Sequence, residues 1–157
     1  MMLKITILSV GKIKEKYYQG IIDEYAKRLT PYVKLDFEVL KAEPFFDDSD
    51  KEGIKNKEGE KIVNFLEKNR WSKIFILDER GKEFTSHEFS KEIHDGTEPI
   101  VFVIGGSLGL SQNVLSYPGS KRMALSEMTF LHEMTQVILI EQIYRAVAIE
   151  KGKKYHY

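Results

Sequence analysis

The sequence contains no cysteine among its 157 residues. That absence excludes disulfide bonds and thiolate metal sites and suits a reducing compartment, so we expect the protein to be cytoplasmic. A long apolar run is also missing, because the apolar N-terminal segment gives way at once to Lys12 and Lys14. We therefore expect neither a membrane span nor a signal peptide, and interpret the first apolar run as a buried strand.

The chain lacks an excess of either charge, with 24 Lys+Arg against 24 Asp+Glu. Proteins that bind nucleic acid through its phosphates usually carry a basic excess, so composition alone does not indicate an RNA partner. The charge is nevertheless unevenly placed. Residues 43–50 are acidic, whereas residues 151–157 contain three lysines and no acid.

Hydrophobic periodicity predicts strands that alternate with helices. The predicted strands are 3–10, 33–39, 73–77, 100–104 and 122–125. The predicted helices are 14–29, 50–68, a helix that begins at a Thr85–Glu88 capping box and is closed by Gly96, 112–115 and 134–151. This order predicts an α/β fold in one domain (1–157), with a mostly parallel sheet and helices on both faces.

The last predicted helix is apolar around most of its circumference. Val137, Ile138, Leu139 and Ile140 occupy a whole helical turn. Such a helix is covered on several sides. Two interpretations remain open: a helix in the centre of the core, or a helix at an interface between subunits.

Three segments could bind a ligand. The glycine-rich 105–109 (GGSLG) follows a buried strand, so its backbone could contact a ligand directly, or it could be a tight turn that needs positive φ. It matches neither the GxGxxG nor the GxxxxGK[ST] pattern. Residues 124–134 supply hydroxyl and apolar side chains for a pocket, or merely cap the next helix. The aromatic, basic end at 151–157 could stack on an unpaired base, or be frayed.

Metal chemistry has little support in the sequence. The four histidines, His87, His94, His132 and His156, form no HxxxH pair and have no matching carboxylates. We expect His87 and His94 on an exposed helix face, and no metal site.

Taken together, several segments resemble one family in order and spacing. They are KITILSVGKIKEKYY at 4–18, KEGEKI at 57–62, ILDERGK at 76–82, VFVIGGSLGL at 101–110, LSEMTF at 125–130, IEQIYRA at 140–146 and a terminal YH at 155–156. The chain resembles, over essentially its whole length, the RlmH family of ribosomal RNA pseudouridine N3-methyltransferases in the SPOUT superfamily.

That resemblance implies a SPOUT fold whose C-terminal part forms a deep trefoil knot around S-adenosylmethionine. It also implies a homodimer that methylates N3 of a pseudouridine in 23S rRNA of the assembled ribosome. The positions that match the family's cofactor site are Leu77, Gly105, Leu125, Ser126, Glu127, Met128, Thr129 and Phe130. The terminal Tyr155 and His156 would reach an active site, that of the partner subunit, and Arg145 matches the family's YRA arginine.

Three positions depart from the family pattern. Leu131 replaces a proline before His132, Gln136 replaces an arginine, and Tyr157 replaces a terminal basic residue. These departures bear on RNA contacts rather than on the cofactor site. A SPOUT methyltransferase with another RNA target is therefore one alternative. The other is a non-enzymatic nucleotide- or RNA-binding module, which would explain the zero net charge and the glycine-rich loop equally well.

The chemistry needs a proton acceptor, because N3–H of a pseudouridine must lose its proton as the methyl group arrives. We expect His156 or a bound water to accept this proton. Arg145 and the lysines of the C-terminal end would hold RNA phosphates.

Overall fold

The computed structural model describes residues 2–157 and contains one five-stranded sheet. Its order is β2-β1-β4-β3-β5, and every neighbouring pair is parallel. The mostly parallel sheet predicted from the sequence is confirmed. The strands are β1 (Leu3–Val10), β2 (Val33–Leu40), β3 (Lys73–Glu83), β4 (Ile100–Ile104) and β5 (Ser120–Ala124).

In residues 2–157, five α-helices connect and cover these strands. They are α1 (Lys16–Leu29), α2 (Lys51–Lys68), α3 (Ser86–His94), α4 (Gln112–Leu115) and α5 (His132–Glu150), with a short 3-10 helix at Asp48–Asp50. The predicted capping box is present. The Thr85 hydroxyl accepts from the Glu88 N–H at 3.1 Å, and the Glu88 carboxylate accepts from the Thr85 N–H at 2.7 Å.

The two faces of the sheet carry separate hydrophobic cores, which confirms the prediction of helices on both faces. One core packs α1, α3 and α5 against the sheet, with stacked Phe75 and Phe102 rings 5.2 Å apart at its centre. The other core packs α2 and α4 on the opposite face around Ile62, Leu66 and Val103. All of β4 is buried between them because it is the middle strand.

Strand β3 is longer than predicted, because it continues beyond the apolar run that ends at Leu77. Its pairing with β5 is interrupted there, and Met123 faces both Leu77 and Lys82. Residues 78–81 therefore bulge out of the sheet. At Gly81 a Cβ would lie 2.6 Å from the Met123 nitrogen, so only glycine permits this approach to β5. Leu125, predicted within the last strand, lies just beyond β5.

The prediction that β2 is half-buried by alternation is correct only for its first half. Val33 is buried, but Phe37 and Val39 are exposed. Strand β2 has a single neighbour, β1, and Phe37 and Val39 lie outside both cores, whereas Leu40 at its end packs against the core that contains α2 and α4.

Helix α5 lies between α1 and α3 on its face of the sheet. Its inward residues, including Leu139, Ile140 and Ile143, are fully buried, so the core interpretation is confirmed for this side. At its start Leu131 and Met134 are exposed. Within residues 2–157, no helix is long and apolar enough to span a bilayer.

Candidate active site

A cleft of about 360 Å³ opens at the edge of the sheet where parallel strands end. Leu77 precedes the bulge of β3, Gly105 follows β4, and Leu125 follows β5. All three line the cleft. Ligands of open α/β sheets bind at this carboxyl edge, so the topology itself makes the cleft a candidate ligand site.

The structure brings most of the expected cofactor residues together in this cleft. Seven of the eight line it, whereas Glu127 is exposed and is not among the lining residues. The seven are Leu77, Gly105, Leu125, Ser126, Met128, Thr129 and Phe130.

Two glycines leave bare backbone on the cleft wall. A Cβ on Gly105 would lie 2.9 Å from the Leu110 side chain, and one on Gly106 would lie 3.3 Å from the Glu58 carboxylate. The turn interpretation of this segment is also partly correct. Gly109 has φ +84° and donates its N–H to the Gly106 carbonyl at 3.1 Å. Gly105 and Gly106, by contrast, have no positive φ, and glycine is required there because a Cβ would have too little space.

The loop 125–130 forms the opposite wall of the cleft. The Ser126 hydroxyl accepts a hydrogen bond from the Met128 N–H at 3.0 Å, which closes a small turn. The helix-capping interpretation of this segment is wrong, because α5 begins after Leu131 without a side-chain cap. The loop is therefore available to contact a ligand.

An ion pair that the sequence analysis did not single out fixes the bulge at the cleft. Arg122 on β5 donates to the buried Asp78 carboxylate, with its Nε 2.9 Å away. Burial acts to raise the pKa of Asp78, but the hydrogen bond and charge of Arg122 outweigh it and hold the pKa below its ordinary value. Arg80 also points at Asp78, at 3.7 Å, and remains largely exposed at the mouth of the cleft.

His132 lines the cleft next to the buried carboxylate of Glu133. Its Nε2 lies 3.9 Å from Glu133, and its buried Nδ1 has no hydrogen-bond partner among the described residues. Glu133 accepts from the Lys14 N–H at 3.0 Å. Behind the glycine loop, burial raises the pKa of Glu58, which accepts from the Glu43 N–H at 3.0 Å. His132 is thus a polar group of the cleft. The sequence analysis considered it only as a possible metal ligand.

The three expected catalytic residues form a second cluster. Glu141 on α5 accepts hydrogen bonds from Arg145 and, at 3.0 Å, from the Tyr155 hydroxyl. The Tyr155 and Tyr25 hydroxyl oxygens lie 2.9 Å apart, and Arg145 Nη1 lies 3.2 Å from His156 Nδ1. The chain end is therefore docked on α1 and α5 rather than frayed.

Burial and hydrogen bonds raise the pKa values of two residues in this cluster. Burial, followed by the hydrogen bonds to Tyr25 and Glu141, raises the pKa of Tyr155, and the hydrogen bond to Glu141 raises the pKa of Arg145. His87 is exposed on α3, as expected, but its ring also packs edge-on against His156 with centroids 4.8 Å apart. None of Arg145, Tyr155 and His156 is among the residues that line the cleft.

The family departures lie in different environments. Gln136 is only 5% exposed, whereas Leu131 is exposed and Tyr157 fully so. The described part of the chain contains no group of three or more His, Asp or Glu residues that could hold a metal ion.

Residues 3–156 match a family model described as "Predicted SPOUT methyltransferase". The chain belongs to the SPOUT methyltransferase family. A protein named ribosomal RNA large subunit methyltransferase H from Clostridium botulinum (strain Eklund 17B / Type B) is 45% identical over 161 residues, which cover 98% of this chain and 99% of that one. Its namesake from Symbiobacterium thermophilum is 40% identical over 162 residues, with the same coverage. This SPOUT chain is therefore an enzyme that uses a methyl donor.

Two solved structures share the fold of this chain at low sequence identity. A probable methylase family protein from Haemophilus influenzae Rd KW20 superposes with a TM-score of 0.55 at 13% identity, covering 99% of this chain and 70% of that one. A putative RNA methyltransferase from Bacillus anthracis superposes with a TM-score of 0.50 at 18% identity, covering 99% of both chains.

Proposed function

We propose that this chain is a single-domain, homodimeric enzyme that uses S-adenosylmethionine to methylate N3 of a pseudouridine in 23S rRNA of the assembled ribosome. The observation that carries the proposal is the cleft at the carboxyl edge of β3, β4 and β5, in a chain that matches large-subunit rRNA methyltransferases along its whole length. The trefoil knot implied by the family remains a prediction.

The chemistry of the cleft fits S-adenosylmethionine. Its volume lies within the range of small-molecule sites, roughly 300–1,000 Å³. Leu77, Leu125 and Phe130 provide apolar surface, and the bare backbone at Gly105 provides peptide groups that a side chain would otherwise cover. The unpartnered His132 Nδ1 offers a further hydrogen-bonding atom. When bound, S-adenosylmethionine supplies a methyl group on a positively charged sulfur.

Positioning is the main work left to the protein. Displacement at a methyl group carried by a sulfonium needs a nucleophile held in line, and such alignment can lower a barrier by about 7–11 kcal/mol. The Glu133–Lys14 hydrogen bond fixes the start of α5, directly after the 125–130 loop, and the Asp78–Arg122 pair fixes the bulge at 78–81. These contacts keep the cleft walls in place for alignment.

The homodimer is supported by exposed apolar residues on two neighbouring helices. Tyr17 and Ile21 on α1 and Leu131 and Met134 at the start of α5 are all exposed. The starts of these helices are joined by the Glu133–Lys14 contact, so the four residues lie at the same end of the molecule. A second copy would cover this surface and could bring its own C-terminal cluster to the cleft, as the family resemblance implies.

RNA binding by a neutral chain would depend on local charge. Lys151 and Lys154 at the C-terminal end are exposed, next to the docked Tyr155 and His156. Two copies of this end, together with Arg80 at the mouth of each cleft, would present cations to RNA phosphates without a basic excess in the whole protein.

The experiment that tests this function is methylation of purified ribosomes. Ribosomes from a strain lacking the gene are incubated with the protein and S-adenosylmethionine, and the modified nucleotide is located by primer extension and mass spectrometry. A single N3-methylpseudouridine in 23S rRNA is expected. Methylation of another RNA would support the alternative target, and methyl-donor binding without any transfer would support a binding module.

A truncated protein separates the two parts of the site. Removal of Tyr155, His156 and Tyr157 should abolish methylation, while the calorimetric affinity for S-adenosylhomocysteine stays within about threefold. Unchanged turnover would show that the C-terminal cluster takes no part in the reaction.

A further inference from the structure

We infer that His156 acts on the RNA base as a hydrogen-bond donor, through its Nε2–H, and not as the proton acceptor. The inference rests on the proposed function and assigns the chemical role of one residue in it. It follows from the contact between Arg145 and His156, because this contact is compatible with only one tautomer of the neutral imidazole.

The guanidinium of Arg145 can only donate hydrogen bonds, because it carries five N–H groups and no acceptor. Its Nη1 lies 3.2 Å from Nδ1 of His156. Nδ1 must therefore accept with its lone pair, and in the neutral ring the proton resides on Nε2. The nitrogen that remains for substrate is then a donor.

The surroundings hold Arg145 in the orientation that enforces this tautomer. The Glu141 carboxylate binds the other terminal nitrogen, Nη2, and the guanidinium stacks over the Tyr155 ring at 4.8 Å. Tyr155 is itself fixed by Glu141 at 3.0 Å and by Tyr25. With Nη2 and one face of the guanidinium engaged, Nη1 is left to contact His156.

Packing also fixes the orientation of the His156 imidazole ring. His87 packs against it edge-on at 4.8 Å with the ring planes at 86°. Arg145 from α5 and His87 from α3 contact His156 directly, whereas Glu141 and Tyr155 contact Arg145, and Tyr25 contacts Tyr155. Within residues 2–157, Arg145 is the one cation in contact with His156, and its hydrogen bond goes to Nδ1.

A donor suits the target chemistry. N3–H of pseudouridine lies between two carbonyl groups, so loss of its proton to water places the negative charge on the two carbonyl oxygens as well as on N3. An Nε2–H aimed at one of these oxygens stabilises that charge, as oxyanion donors do. The N3 electron pair then forms the bond to the methyl carbon, while the carbon–sulfur pair stays on the sulfur, which becomes a neutral thioether.

Nitrogen NMR of the histidine rings tests the tautomer directly in the intact protein. In neutral His156, we expect Nδ1 to show the shift of an unprotonated nitrogen and Nε2 that of a protonated one. In Arg145→Leu the population of the Nδ1–H tautomer should rise, because no guanidinium remains to donate to Nδ1. A protonated Nδ1 in the wild type would overturn the inference, whether or not the protein methylates ribosomes.

Kinetic rescue tests the role in catalysis. The side-chain amide of His156→Gln can place an N–H near the position of Nε2, whereas His156→Ala supplies no donor. On ribosomes we expect the kcat of His156→Ala to fall about 10²-fold, the loss typical of a removed oxyanion donor. The kcat of His156→Gln should fall less than tenfold. The rate with Gln should rise with pH as it does in the wild type. If His156→Gln is as slow as His156→Ala and its rate no longer falls at acidic pH, His156 is a base and the inference is wrong.

The two failures can be told apart. A wild-type protein that transfers no methyl group to ribosomes would contradict the proposed function. An active wild type with a protonated Nδ1, or with no rescue by Gln, would contradict only the role assigned to His156.

Discussion

The Glu133 carboxylate accepts a hydrogen bond from the backbone N–H of Lys14 at 3.0 Å, across 119 residues of chain. It also lies 3.4 Å from the Glu15 nitrogen, so a buried side chain of α5 holds the two residues that precede α1. The first turn of α5, which follows the 125–130 loop, is thereby tied to the helix that follows β1.

We predict that Glu133→Ala lowers the free energy of unfolding by about 1.5–3 kcal/mol, since hydrogen bonds to a buried charged group are lost. Urea denaturation measures this. Glu133→Gln keeps an acceptor oxygen and should cost less. Glu150→Ala, at the exposed end of the same helix, is the matched control and should change stability by less than about 0.5 kcal/mol. Equal losses for Glu133→Ala and Glu150→Ala would show that the contact of Glu133 with Lys14 and Glu15 contributes nothing.

A methyl group added at Gly105 should crowd the wall of the cleft and hinder ligand binding. The added Cβ would meet Leu110 at 2.9 Å and the Gly109 carbonyl carbon at 3.2 Å. We expect Gly105→Ala to weaken binding of S-adenosylhomocysteine at least tenfold by calorimetry, with the protein still folded. In Gly20→Ala, a Cβ would meet nothing within 4 Å and would favour helix α1, so unchanged affinity and slightly higher stability are expected. Wild-type affinity in Gly105→Ala would place the ligand elsewhere.

The Asp78–Arg122 pair should make stability depend on acid pH. Because the pKa of Asp78 is lower in the folded protein than in the unfolded chain, its contribution is present above the unfolded pKa and is lost as pH falls through the folded one. Asp78→Asn should therefore lower the free energy of unfolding at neutral pH by about 1–2 kcal/mol. The difference from wild type should shrink below about pH 4. Denaturation curves at several pH values test this, and a difference that does not vary with pH would rule out the ion pair as its source.

A charge on the exposed apolar surface of α1 should prevent dimerisation. We expect Ile21→Glu to sediment as a monomer and to lose methylation of ribosomes, while its unfolding free energy changes little because Ile21 is 42% exposed. Gln19→Glu adds the same charge to the same helix at an exposed polar position and should remain a dimer. If Ile21→Glu sediments like wild type, another surface forms the interface.

The fold could be predicted largely from apolar patterning, and its exceptions have physical causes. The first half of β3 and all of β4 are short apolar runs that are buried on both faces. The second half of β3, by contrast, is polar and pairs with β5 through the close approach at Gly81, which no periodicity signals. The exposed half of β2 was missed because alternation does not reveal that a strand lies at the sheet edge.

The site was less accessible to sequence reasoning, because its contacts join distant segments. Asp78 and Arg122 are 44 residues apart, and His132 looks like a lone histidine until the fold places it between Glu133 and the cleft. The sequence alone indicated the segments 105–109 and 124–134 as possible ligand sites, whereas the individual cofactor residues, including Leu77, came from the family resemblance. The role of Glu141 in holding Arg145 and Tyr155 has no sequence signal beyond a four-residue helical interval.

The central claim is that the cleft between Gly105 and residues 125–130 binds the methyl donor. A crystal structure of the protein with S-adenosylhomocysteine tests it most directly. The account predicts the ligand in this cleft, with its sulfur facing the open side and its polar groups bonded to backbone of the two walls. Ligand density at any other place, or a cleft that remains closed by side chains at saturating ligand, would contradict it.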